Sequence, residues 1–85
     1  MMTQFDFGDG PVPAHQHANG GGWVADTASV AVTAYVGPDA WVNGKAWVSG
    51  NARVYGKAWV SGNAQVSGKD RVFDDARVSG DTVMT

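Results

Sequence analysis

An all-β solenoid wound from very short strands is the fold this sequence predicts, and three observations predict it. Residues 22–85 repeat every six residues with no insertion or deletion. Each hexad carries Val at the same place: Val24, Val30, Val36, Val42, Val48, Val54, Val60, Val66, Val72 and Val78. Two residues after many of these valines stands a glycine (Gly44, Gly50, Gly56, Gly62, Gly68, Gly80), which tolerates the backbone angles of a tight corner. A period this short means stacked coils, in which one unit is a strand and a turn.

Taken in chain order, the first 21 residues have no hexad phase. They hold Gly8, Gly10, Pro11, Pro13 and a glycine run at 20–22. They are expected to be an irregular segment, either a cap over the first coil or an arm reaching a neighbour, with Phe5, Phe7 and Val12 as its apolar side. Residues 22–85 form the second unit. In each hexad Val points inward, and strand alternation sends the residue two before it inward as well. That residue is Ala in most hexads, small enough for a corner, and the residue between the two points out. The last hexads run out at Val83, Met84 and Thr85 with no capping motif, so the last coil either frays or carries another subunit stacked on it.

The bulk properties narrow the function classes. Eighty-five residues make one small domain with a marginal core. There is no Cys, which excludes disulfides and thiolate metal sites. A net charge of −2 with six Lys and Arg argues against a nucleic-acid partner. The first nine residues show no basic region or apolar run of a secretory signal, and no stretch is long and apolar enough to span a membrane. The expectation is a soluble, cytoplasmic chain.

The hexad that starts Val48, Ser49, Gly50, Asn51, Ala52 resembles the hexapeptide repeats of left-handed parallel β-helices. Trimeric acyltransferases, γ-class carbonic anhydrases and many uncharacterised bacterial and phage proteins share that repeat. The segment HANGGGWV at residues 17–24 also resembles one that precedes such repeats in phage and bacterial chains. The resemblance implies left-handed winding, triangular coils of three hexads and a tendency to trimerise. The fold expected is therefore a short left-handed parallel β-helix of about three and a half triangular coils, roughly 17 Å tall at the usual strand spacing.

If a coil is three hexads, outward residues 18 apart stack, and three unlike faces result. Face one stacks Trp23, Trp41, Trp59 and Arg77. Three outward indoles form an apolar patch, which marks a subunit interface around a threefold axis; a stiffening ladder capped by an Arg77 cation–π contact is the plainer alternative. Face two stacks Ser29, Trp47, Gln65 and Val83. Face three stacks Tyr35, Arg53 and Arg71, flanked by Tyr55 and Phe73, and it gathers most of the departures from the repeat. Pro38 and Asp74 replace the turn glycine there, and Asp70 replaces the inward Ala above Ala52 and Ala34. A carboxylate in that slot needs a partner, and Arg71, Arg53 or backbone amides are the candidates. Tyr35, Arg53, Tyr55, Asp70, Arg71 and Phe73 are thus the expected partner-binding set, of a composition that suits a protein hot spot. Lys45, Lys57 and Lys69 fall at three different corners and form no basic stripe.

His15 and His17 project to one side of an extended segment. Three copies around a trimer axis would bring six imidazole nitrogens together as an octahedral metal site, which resembles the histidine pairs that bind iron in some trimeric phage spike tips. An ordinary capping segment needs no metal, and no cofactor is expected. An acyltransferase needs a histidine base and a γ-class anhydrase three histidine ligands, and the repeat holds no His. The expected function is a non-enzymatic oligomeric binding protein, a homotrimer by preference, such as a phage-encoded inhibitor that engages a host protein. The alternatives are a spike-like or end-to-end structural module and a remnant of a hexapeptide acyltransferase.

Overall fold

Alternating valine and alanine decide where this chain turns inward. The structure, a computed structural model, describes residues 3–8 and 10–84. Met1, Met2, Asp9 and Thr85 lie outside the described residues. The described chain is all-β, without a helix. Its strands are β1 (Gln4–Asp6), β2 (Pro11–Gln16), β3 (Trp23–Ala25), β4 (Ser29–Val30), β5 (Tyr35–Val36), β6 (Trp41–Val42) and β7 (Trp47–Val48). They continue with β8 (Arg53–Val54), β9 (Trp59–Val60), β10 (Gln65–Val66), β11 (Arg71–Val72), β12 (Arg77–Val78) and β13 (Val83–Met84).

From β3 onward the strands stack in parallel as a solenoid of about three turns, each strand pairing with the third strand on in sequence. One sheet runs β1-β2-β3-β6-β9-β12, a second β13-β10-β7-β4 and a third β11-β8-β5. The register is 18 residues throughout: Trp23 pairs with Trp41 and Trp41 with Trp59, Trp47 with Gln65, and Tyr35 with Arg53. The three columns expected from the period are therefore real neighbours. Between rungs the backbone bonds regularly, as when the Arg53 N–H donates to the Asp70 carbonyl at 2.9 Å and Tyr55 N–H to the Val72 carbonyl at 2.9 Å.

The core is a stack of valines and alanines. Val24, Val36, Val42, Val48, Val54, Val60 and Val66 have no exposed surface, and Ala34, Ala40, Ala52 and Ala64 lie beside them equally buried. Each valine stabilises the stack by about 1.5–3 kcal/mol on area grounds. At some corners glycine answers two demands at once. At Gly44 φ is +66°, and a Cβ there would stand 2.9 Å from the Gly62 backbone nitrogen of the next coil. Asp74 takes the same left-handed angle at φ 56°, a conformation that Asp accepts better than most side chains.

The N-terminal segment is more regular than its lack of hexad phase suggests. β1 and β2 form an antiparallel hairpin, and β2 pairs antiparallel with β3, placing His15 opposite Val24. The segment thus covers the first edge of one sheet. The chain then crosses the edge of β5, where Gly22 N–H donates to the Val36 carbonyl and Val36 N–H to the Asn19 carbonyl. A Cβ at Gly22 would stand 2.3 Å from the Gly37 carbonyl oxygen, so the crossing needs a residue without a side chain. Among the described residues no strand pairs with the outer edges of β4, β11, β12 or β13.

Candidate functional site

Face three brings together most of the residues predicted for it. Tyr35, Arg53 and Arg71 are successive rungs of one column, held in register by β5, β8 and β11. One step on, the Tyr55 and Phe73 rings stack with centroids 5.5 Å apart and planes 13° from parallel. The column floors an open groove of about 880 Å³, lined also by Asn19, Thr33, Asn51 and Lys69. Arg53 and Arg71 are exposed. Among the described residues neither guanidinium has a hydrogen bond, ion pair or ring contact, the single ion pair there being His15 with Asp26.

Asp70 departs from the expectation. Its Oδ2 is buried and without a hydrogen-bond partner among the described residues, so neither arginine nor a described backbone amide satisfies that oxygen. The reason is alternation. Asp70 follows the inward course of Ala52 and Ala34, whereas Arg71 and Arg53 project from the opposite side of the same strands. Asp70 therefore stands behind the groove rather than in it.

The sequence reading missed the groove's second wall. Thr33, Asn51 and Lys69 lie 18 residues apart, the same spacing that revealed the columns, but as corner residues they read as solvated charges and turn formers. Asn19 had no such signal, because it precedes the repeat.

Face one is organised differently from the expected subunit interface. The hairpin curls back over the Trp column: Phe5 stacks on Trp23 with centroids 4.6 Å apart and 13° between planes, and meets Trp41 edge-on at 5.3 Å. Phe7, 4% exposed, meets Trp41 at 5.8 Å. Trp41 and Trp59 touch edge to face at 5.4 Å, and the Trp59 indole N–H donates to the Asn43 side-chain oxygen at 2.6 Å. Arg77 lies over the Trp59 ring, 5.5 Å from its centroid, as the ladder alternative foresaw. The indoles are half-buried by this chain's own N-terminus, which gives the apolar patch an intramolecular occupant. A groove of about 550 Å³ is left beside it, lined by Phe5, the three indoles, Pro38, Asp39, Lys57 and Arg77.

The two histidines have separate employments. His15 Nδ1 pairs with an Asp26 carboxylate oxygen at 2.7 Å near the surface. His17 is buried and its Nε2–H donates to the Ala34 carbonyl at 2.8 Å. Among the described residues no cluster of three or more metal-ligating side chains forms.

The comparisons with known proteins agree with the architecture. Residues 46–62 match the family model described as YdcK beta solenoid repeat, a stretch that runs from the start of β7 past the end of β9. No curated protein and no solved structure matches the chain. The shared unit is a repeat, and the chain is built on it as a β-solenoid. Among the described residues no helix is long and apolar enough to cross a membrane.

Proposed function

We propose that this repeat-built chain is a non-enzymatic binding protein that engages a partner protein through the face-three groove, in the manner of a phage-encoded inhibitor of a host protein. One observation carries the reading. Two arginines and two tyrosines are held in fixed register on a rigid ladder, with the arginines exposed and without partners among the described residues. Arg and Tyr dominate protein hot spots because each offers a large contact area and a directed hydrogen bond. Affinity capture from a host lysate tests it. The R53E/R71E protein is expected to lose the partner that the parent retains, and a K45E/K57E control is expected to keep it. Equal recovery by R53E/R71E would sink the reading.

A second reading, an assembly module, is favoured by the outer edges of β11, β12 and β13, with which no strand pairs among the described residues, since such edges invite strand addition. It predicts particles whose length grows with concentration. Scattering mass that stays constant over a hundredfold dilution rules it out. For a homotrimer, face two offers freer apolar surface than the hairpin-covered column. Trp47 is 56% and Val83 59% exposed there, with Val32 at 82% on the corner after β4. An unchanged mass for the W47S protein would count against that surface.

A further inference from the structure

We infer that the face-three groove takes an acidic protein segment, whose carboxylates seat on the Arg53–Arg71 pair. This rests on the partner-binding reading and names the chemistry of the partner. The first ground is charge segregation. The chain carries eight Asp and six Lys and Arg, a net charge of −2. Yet Arg53, Lys69 and Arg71 all line this groove, and among the described residues no Asp lines it. An overall acidic protein thus presents one local cationic surface.

The second ground is the register. Arg53 and Arg71 stand directly opposite each other on adjacent parallel strands, where like charges oppose one another. Neighbouring strands lie about 4.8 Å apart, so the two like charges rise from adjacent rungs, and an anion seated between them would relieve their mutual repulsion. Neither has an internal anion among the described residues. The planar fork of each guanidinium matches a carboxylate with two parallel hydrogen bonds. Tyr35 and Tyr55 beside the pair offer ring faces to the aliphatic stems of the same segment, and Asn19 and Asn51 offer amides to its backbone.

A nucleic acid fits less well. Its affinity scales with the number of phosphates neutralised, and three cations on a surface otherwise rich in Asp neutralise about three.

The test uses the full chain and labelled peptides of about ten residues, one alternating Glu with Ala and one with Gln in place of Glu, beside oligothymidylate of similar length, read by fluorescence polarisation. The Glu peptide is expected to bind about tenfold or more tightly than the Gln peptide, and to weaken several-fold as salt rises from about 50 to about 200 mM. R53Q/R71Q should lose about tenfold, with K45Q/K57Q at parental affinity. R53K/R71K, which keeps charge but not the fork, should fall between parent and R53Q/R71Q, and circular dichroism checks that each variant is folded. Equal binding of the Glu and Gln peptides overturns the inference, as does an equal loss in K45Q/K57Q. Oligothymidylate binding more tightly than the Glu peptide reassigns the groove to nucleic acid. A lysate partner that depends on Arg53 and Arg71 but does not compete with the Glu peptide overturns this inference and leaves the partner-binding reading standing.

Discussion

Asp70 stands in a column of alanines, with one carboxylate oxygen buried and unpartnered. Such a group costs about 1–3 kcal/mol relative to a satisfied or absent one. Asp70→Ala is therefore expected to raise the denaturant midpoint, a stability gain of about 1 kcal/mol, since the side chain is only partly buried. A lower midpoint would mean that the carboxylate has a favourable role the packing does not explain. The converse change is Val60→Ala, which removes two buried methyl groups from the centre of the stack and should cost about 2 kcal/mol in the same assay. Both sites were legible in the sequence as inward positions. The fate of Asp70 was not read correctly: an arginine or backbone partner was expected, whereas residues 70 and 71 project to opposite sides and the carboxylate oxygen is left without one among the described residues. His17 was not legible, because a buried imidazole bonded to the Ala34 carbonyl depends on where an aperiodic segment lands.

The hairpin of β1 and β2 is the element that the period does not describe. Without a phase, residues 1–21 give only local clues: Phe5, Phe7 and Val12 were expected as the apolar side, and of these Phe5 and Phe7, with a polar residue between, meet the Trp column while Val12 is exposed. That alternation places both rings on one side of a short strand, and the Trp column supplies the apolar ground they need. Phe7→Ala should cost about 3 kcal/mol where the hairpin meets the column. Tryptophan emission should shift to the red as water reaches the indoles, and proteases should cut before Gly22 more readily. Emission that matches the parent would show that the indoles are shielded by something other than the hairpin. The columns themselves needed no such clue: an 18-residue register follows once three hexads close a coil, and each backbone ladder repeats it.

At the scale of the whole molecule the contacts are nearly one-dimensional, each rung meeting the rungs above and below. Stability in such a stack is a sum of rungs and their interfaces. The edge of β3 is sealed by β2 and the edge of β5 by the 19–22 crossing, while the outer edges of β11, β12 and β13 are unpaired among the described residues. Opening is therefore expected to begin at the C-terminal rungs, with amide exchange fastest around residues 71–83 and slowest around Val42 and Val48, where rungs lie on both sides. Uniform exchange along the solenoid would contradict that order.

The register also makes the chain a kind of combination lock. Adding eighteen residues after Gly62 would lengthen every column by one step and leave Arg71 on the line of Arg53. Adding only six would keep each valine inward, so the fold would survive, but the columns below would rotate by one side of the triangle. Arg71 would leave the line of Arg53, and Arg77 would part from Trp59. Folding reads the chain modulo six, whereas the columns read it modulo eighteen, so one inserted hexad can dismantle the Arg53–Arg71 and Trp59–Arg77 alignments while every valine still points inward.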